Sequence, residues 1–200
     1  MIPIDALAQF SGTAIVLAAL PGPDSLYVLT QSALRGARTG LMLTLGLCTG
    51  LVMYSVAVAF GVAVIFQTSP LAFTLLKALG TAYLLYLAYA SFKAEPSPAV
   101  PSPGESGRTY LRGVLMNLSN PKVAIFFLAF LPQFTSPEWG NMTTQMLTLG
   151  ALVVASTWTV FSLISVLAGR LNDRLRRSER SLNRVAAVFL LVLAIRLALF

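Results

Sequence analysis

Two stretches decide how this chain folds: Leu20-Pro21-Gly22-Pro23-Asp24 and Asn117-Leu118-Ser119-Asn120-Pro121-Lys122. Each sits inside a long apolar run and carries what such a run should lack, proline and an ionisable side chain. Proline donates no backbone hydrogen bond and clashes with the preceding turn, so a helix passing through either stretch must kink or break. Backbone groups freed in hydrocarbon cost several kcal/mol apiece unless they are buried in protein or line a wet cavity. Both stretches therefore point toward the protein interior.

The runs around them have membrane length. A helical crossing needs ~20 mostly apolar residues, and six segments approach or exceed that: 4–34, 41–66, 71–92, 111–134, 143–169 and 182–199. The first reads as a membrane segment rather than a secretory signal, because it carries Asp5 in place of a basic start and continues past Pro23. Only 10% of the 200 residues are charged, against about 25% in a soluble domain. With a mean hydropathy of +0.79, membrane lipid must be part of the solvent. The expectation is an all-α polytopic membrane protein.

The net charge of +7 is explained by topology rather than by nucleic acid. Arg35 and Arg38 follow segment one. Lys93, Arg108 and Arg112 flank the connection between segments three and four, and Arg170, Arg174, Arg176, Arg177, Arg180 and Arg184 follow segment five. The alternate connections, 67–70 and 135–141, and both chain ends carry no Lys or Arg. By the positive-inside rule the basic connections are cytoplasmic and both termini periplasmic. The 170–184 stretch reads as a solvated basic loop or a helix lying on the inner leaflet. Lys77 and Arg196, near segment ends, can snorkel outward.

A Pro/Ser-rich linker over 94–108 divides the chain into halves 1–93 and 109–200, each with three segments. An odd number per half forces opposite insertion, so the expected architecture is two inverted three-helix repeats with broken first and fourth helices. Asp24 lies eleven residues before Arg35, and Lys122 ten residues after Arg112. At ~1.5 Å per residue both sit ~15 Å from the cytoplasmic markers, near the midplane. Ionisable groups at that depth are functional hypotheses by default.

Each also has a plainer reading. Asp24 follows Pro23 and can simply cap the restarting helix. Lys122, a cation near a helix start, opposes the dipole and needs an anion, which Asp24 or a substrate carboxylate supplies. Asn117 and Asn120 can serve freed backbone, and Gln9, Ser25, Gln31 and Ser119 are further polar groups near the breaks. Gly36, Gly40, Gly46 and Gly50 form two G-x-x-x-G pairs, a helix-packing signal within one chain or between two in a homodimer. A broken helix offers a restarting N-terminus to carboxylates and an ending C-terminus to ammonium groups, so a zwitterionic amino acid matches both.

At these residues the chain resembles the lysine exporter (LysE/RhtB-type) family of amino-acid efflux permeases. The resemblance rests on Pro21-Gly22-Pro23-Asp24, the glycine ladder Gly36/Gly40/Gly46/Gly50, Gly80-Thr81-Ala82-Tyr83-Leu84, and Gly113, Asn117 and Asn120-Pro121-Lys122 leading to Phe130-Leu131-Pro132-Gln133-Phe134. It implies a bacterial inner-membrane exporter of amino acids or close derivatives, driven by the proton motive force. The central site would then comprise Pro21, Gly22, Pro23, Asp24, Asn117, Asn120, Pro121 and Lys122. Asp24, the one deep carboxylate, is the candidate for proton coupling.

Enzymatic readings lack their residues. The chain has no histidine for a metalloprotease and a single cysteine, Cys48, for a thiol oxidoreductase. A second deep aspartate for an aspartyl protease is also missing. No metal or cofactor is expected. The alternatives to export are a non-transporting membrane scaffold and a passive small-solute channel.

Overall fold

The computed structural model describes residues 1–68 and 106–168, together with isolated helical positions between 71 and 93 and at 191 and 195. Most of segments three and six, the linker up to residue 105, the basic stretch 170–184, Lys77 and Arg196 lie outside the described residues. Every regular element among those described is helical.

Helix α1 (Ile4–Ala19) ends where Pro21 makes further helix impossible. Leu20 is extended, at φ −64° and ψ 136°, as a residue before proline prefers. Helix α2 (Pro23–Arg35) restarts with Pro23 in its first turn, where the missing N–H costs nothing, and the two helices meet at 55°. Gly36 stops α2 at φ 87°, a left-handed conformation that favours glycine. Helix α3 (Ala37–Thr68) follows at once.

The second break repeats the first in outline. Helix α4 (Ser106–Leu118) begins inside the stretch expected as linker. After Ser119 and Asn120 the chain restarts at Pro121 as α5 (Pro121–Ile125), widens to a π turn over Phe126–Phe130 and tightens to a 3₁₀ turn over Leu131–Phe134. The bend between its two limbs is 51°. Helix α6 (Met142–Ala168) is unbroken.

Residues Ala37–Gly61 of α3 and the whole of α6 are long and apolar enough to cross a bilayer, and each bent pair meets the same test when taken together. The described residues thus hold two candidate crossings, or up to four when each bent pair counts as one span. Apolarity on both faces fits lipid outside: on α3, Leu43 and Leu47 are buried while Val52, Met53 and Val56 are exposed. The chain is an all-α, multi-pass membrane protein.

Helix α3 is the axis, packed against α4 on one side and α6 on the other. Glycines set these distances. A Cβ on Gly46 would strike the Tyr110 carbonyl, one on Gly113 the Leu43 carbonyl, and one on Gly150 the Ser55 hydroxyl. Gly40 faces Ser32 and Ser165, and Gly50 faces Asn117. Gly36 does not join them: nothing lies within 4 Å of its would-be Cβ, and its work is to end α2. Gly40, Gly46 and Gly50 are thus occupied inside the chain.

Two apolar layers fill the interior. One gathers Phe10, Leu51, Val58, Met146 and, from the turns after α5, Phe126, Phe127, Phe130 and Phe134. It is dense with aromatic contacts, Phe126–Phe130 and Phe130–Phe134 both having ring centroids 5.2 Å apart. The other is smaller, built from Ala18, Val28, Leu43, Leu47 and Phe161, toward the end where Arg112 lies 4.8 Å over the Tyr27 ring.

Candidate site at the paired helix breaks

Between the two layers lies a cavity of about 60 Å³. In that measure a water needs ~10–15 Å³, so it has room for a few waters. Leu51 lines it from the middle of α3, and Val153 and Thr157 from the middle of α6. For helices that span a bilayer, that is its centre.

Its polar wall comes from the two breaks. Gly22, Asp24 and Ser25 arrive from the first, Asn117, Asn120 and Lys122 from the second. Ser25 staples the first break, its hydroxyl accepting from the Gly22 N–H at 2.9 Å and lying 3.2 Å from the Leu20 carbonyl. At the second, Asn120 Oδ1 caps α5 by accepting from the Lys122 N–H at 3.0 Å. The Leu118 carbonyl, released where α4 ends, accepts from the Tyr54 hydroxyl at 2.8 Å.

Asn120 also joins the breaks. Its Nδ2 donates to Asp24 Oδ2 at 2.8 Å, across ninety-six positions of sequence. The other carboxylate oxygen, Asp24 Oδ1, is buried with no hydrogen-bond partner, as is Asn117 Oδ1. The Lys122 ammonium turns to the end of α1, donating to the Leu17 carbonyl at 3.5 Å. It also rests against Gly22, whose would-be Cβ lies 3.6 Å from Nζ.

Of the eight residues expected at the site, Gly22, Asp24, Asn117, Asn120 and Lys122 line the cavity. Pro21, Pro23 and Pro121 shape the bends without lining it; Pro23 and Pro121 are exposed. Gln9 and Ser119 are exposed as well. Gln31, on the Asp24 face of α2 two turns on, is 1% exposed with its Nε2 unpartnered, but is not among the residues that line the cavity. Sequence reasoning missed Thr157, Phe126, Phe127 and Phe161. Thr157 is one hydroxyl in an apolar helix, a signal too common to single out. No group of three His, Cys, Asp or Glu side chains able to hold a metal occurs among the described residues.

The dual role of Asn120 gives a test. Asn120→Ala should lose both the cap and the bond to Asp24, costing ~3 kcal/mol in all. Asn120→Asp should keep the cap but set a second acceptor beside Asp24. Thermal melting of the purified protein should rank wild type above both, and equal stability of all three would mean that Asn120 does not tie the breaks together.

Fold and site define a class: a multi-pass helical membrane protein whose polar centre is built from two broken helices. Within that class the chain belongs to the LysE type translocator family, whose sequence model matches residues 15–199; the family is one of translocators, not enzymes. It is 30% identical over 186 residues to the homoserine/homoserine lactone efflux protein of Salmonella typhimurium, covering 90% of each chain. An uncharacterized membrane protein of Pseudomonas aeruginosa is 31% identical over 169 residues, covering 80% of this chain and 78% of the other. A further uncharacterized membrane protein, from Vibrio cholerae, is 32% identical over 180 residues, 88% and 87% of the two. No solved structure matches the chain.

Proposed function

We propose that this protein exports amino acids or close derivatives across a bacterial inner membrane, driven by the proton motive force, with both termini periplasmic. The observation that carries the reading is the buried junction of the two breaks. Asn120 binds Asp24 across the halves, and both residues line a mid-depth cavity together with Asn117 and Lys122. Asp24 Oδ1 and Asn117 Oδ1 are buried acceptors without a hydrogen-bond partner, and such groups cost stability that a bound donor relieves. The efflux function printed for the Salmonella relative supports the direction of transport.

In this mechanism Lys122 and the start of α2 receive the substrate carboxylate. Asp24 receives the ammonium group or the coupling proton. The two halves, three segments each and inverted, rock about this point to give alternating access. The arrangement of the two apolar layers supports the idea, since Phe126 and Phe127 of one and Ala18 and Phe161 of the other both line the cavity. The inner layer, five residues around Phe161, is the thinner barrier.

Inside-out vesicles containing the protein test the reading. Uptake of members of a labelled amino-acid panel above empty vesicles, collapsed by an uncoupler, is the expected result. Flux that ignores the uncoupler would identify a passive channel instead. No uptake of any amino acid by folded protein would favour a scaffold.

A further inference from the structure

We propose that Gln133 is a positioning residue for transport: through the Ala129 carbonyl it holds the π turn that sets Phe126 and Phe127 against the cavity. The proposal rests on the exporter reading above. The stretch Phe130-Leu131-Pro132-Gln133-Phe134 carries part of the family resemblance without contributing to the polar wall of the site. Its hydrogen bonds show what it does instead. The Leu131 N–H donates to the Phe126 carbonyl five residues back, the bond of a π turn. The next N–H in that register would belong to residue 132, and Pro132 has none. The chain tightens to 3₁₀ over Leu131–Phe134, where each N–H turns to the carbonyl three residues back. In that pattern the Ala129 carbonyl again looks to residue 132, the proline. Gln133 supplies the missing donor from its side chain, Nε2 to the Ala129 carbonyl at 2.8 Å.

Both ends of this segment are tied down. Asn120 fastens its start to Asp24 at 2.8 Å. Past Phe134, the Gln145 side chain of α6 accepts from the Ser136 N–H at 3.1 Å and donates to the Ser136 carbonyl at 2.8 Å. A change of length or twist therefore falls on the turns between, and the π turn, one residue wider than an α turn, is where it is absorbed. Slipping the register by one residue rotates the side chains there by ~100°. Two of those side chains, Phe126 and Phe127, line the cavity. Phe126 continues into the stack of Phe130 and Phe134, and Phe134 meets Phe10 at 5.1 Å. Phe127 lies over Tyr54, with centroids 5.8 Å apart. The same apolar layer runs through Leu149 and Met146 to Met142 at the start of α6, whereas the cavity touches α6 further on, at Val153, Thr157 and Phe161. Arg112 and Phe134 stand at opposite ends of the bent pair Arg108–Leu118 and Pro121–Phe134. The layer that Gln133 holds in register is thus the barrier between the cavity and the end of the protein away from Arg112.

The experiment reads access to the cavity from each face of the membrane. The full chain carries Thr157→Cys as a reporter in the cavity wall, with the native thiol removed by Cys48→Ala, and is exposed to a membrane-impermeant maleimide. Gln133→Met keeps the length of the side chain and removes its donor. In right-side-out vesicles it should raise the labelling rate ~5-fold, the population shift expected from losing one hydrogen bond of ordinary strength. In inside-out vesicles the rate should not rise. Adding Pro132→Ala restores a backbone N–H directed at the Ala129 carbonyl and should return labelling to within ~2-fold of the parent. Gln133→Leu is the second removal should Gln133→Met fail to fold. An unchanged rate in right-side-out vesicles, or an equal rise at both faces as general loosening would give, would overturn the proposal. A rise that Pro132→Ala leaves in place would overturn the assignment to the Ala129 carbonyl. Labelling needs no amino acid, so either failure is distinguishable from failure of the exporter reading, which shows in the uptake measurement.

Discussion

Asp24→Asn is expected to abolish proton-driven accumulation while the protein still folds. The substitution keeps the side-chain shape and leaves an amide oxygen to accept the 2.8 Å bond from Asn120 Nδ2. The link between the breaks therefore survives, at a cost of no more than ~1–2 kcal/mol. What disappears is the negative charge and the group able to take up a proton. A charge-assisted hydrogen bond to an ammonium group contributes ~1.5–3 kcal/mol, so substrate counterflow should fall ~10–100-fold. Uptake against a gradient, measured in inside-out vesicles at matched expression, should reach background. Counterflow retained with accumulation lost would assign Asp24 to the proton alone. Accumulation equal to wild type would remove Asp24 from both roles.

The second large effect is structural. Gly46 lies under α4, and a methyl group there meets the carbonyl of Tyr110 and stands 3.0 Å from the Val114 nitrogen. Both are backbone atoms of a helix and cannot swing aside, so α4 itself must move away from α3. Overpacking typically costs ~1–3 kcal/mol, and Gly46→Ala belongs at the top of that range. Because α4 carries Asn117, the shift should also reach the site. The control is Gly61→Ala in the same helix, where nothing lies within 4 Å. Melting of the detergent-solubilised variants should separate them clearly, with Gly61→Ala close to wild type. Equal melting would mean that the α3–α4 spacing has slack the close contact does not suggest.

Much of this protein was legible as a string of residues. Six apolar runs and a shortage of charge imply lipid as solvent, because a helix that cannot cover itself with polar groups has no other stable surroundings. Proline at 21, 23 and 121 fixes where helices end, since the missing N–H and the constrained preceding residue act locally. Counting along the helices from Arg35 and Arg112 also expects Asp24 and Lys122 at similar depth, and the two line one cavity. These are short-range properties, and the chain expresses them without reference to a fold.

The particular partners were not legible. Nothing local says that Asn120 should reach Asp24 rather than its own backbone, or that Lys122 should turn to the Leu17 carbonyl. Two glycines in one spaced ladder behave differently for the same reason. Gly36 ends α2 in the open, whereas Gly46 is pressed against Tyr110. The roles of Thr157 and Phe161 likewise arise only when α6 is laid across the breaks. Contacts between distant segments depend on how whole helices rotate and pack, and side-chain spacing along one helix carries no record of what another will present. Sequence therefore determined the solvent and the two breaks, while tertiary packing decided which polar atoms meet there.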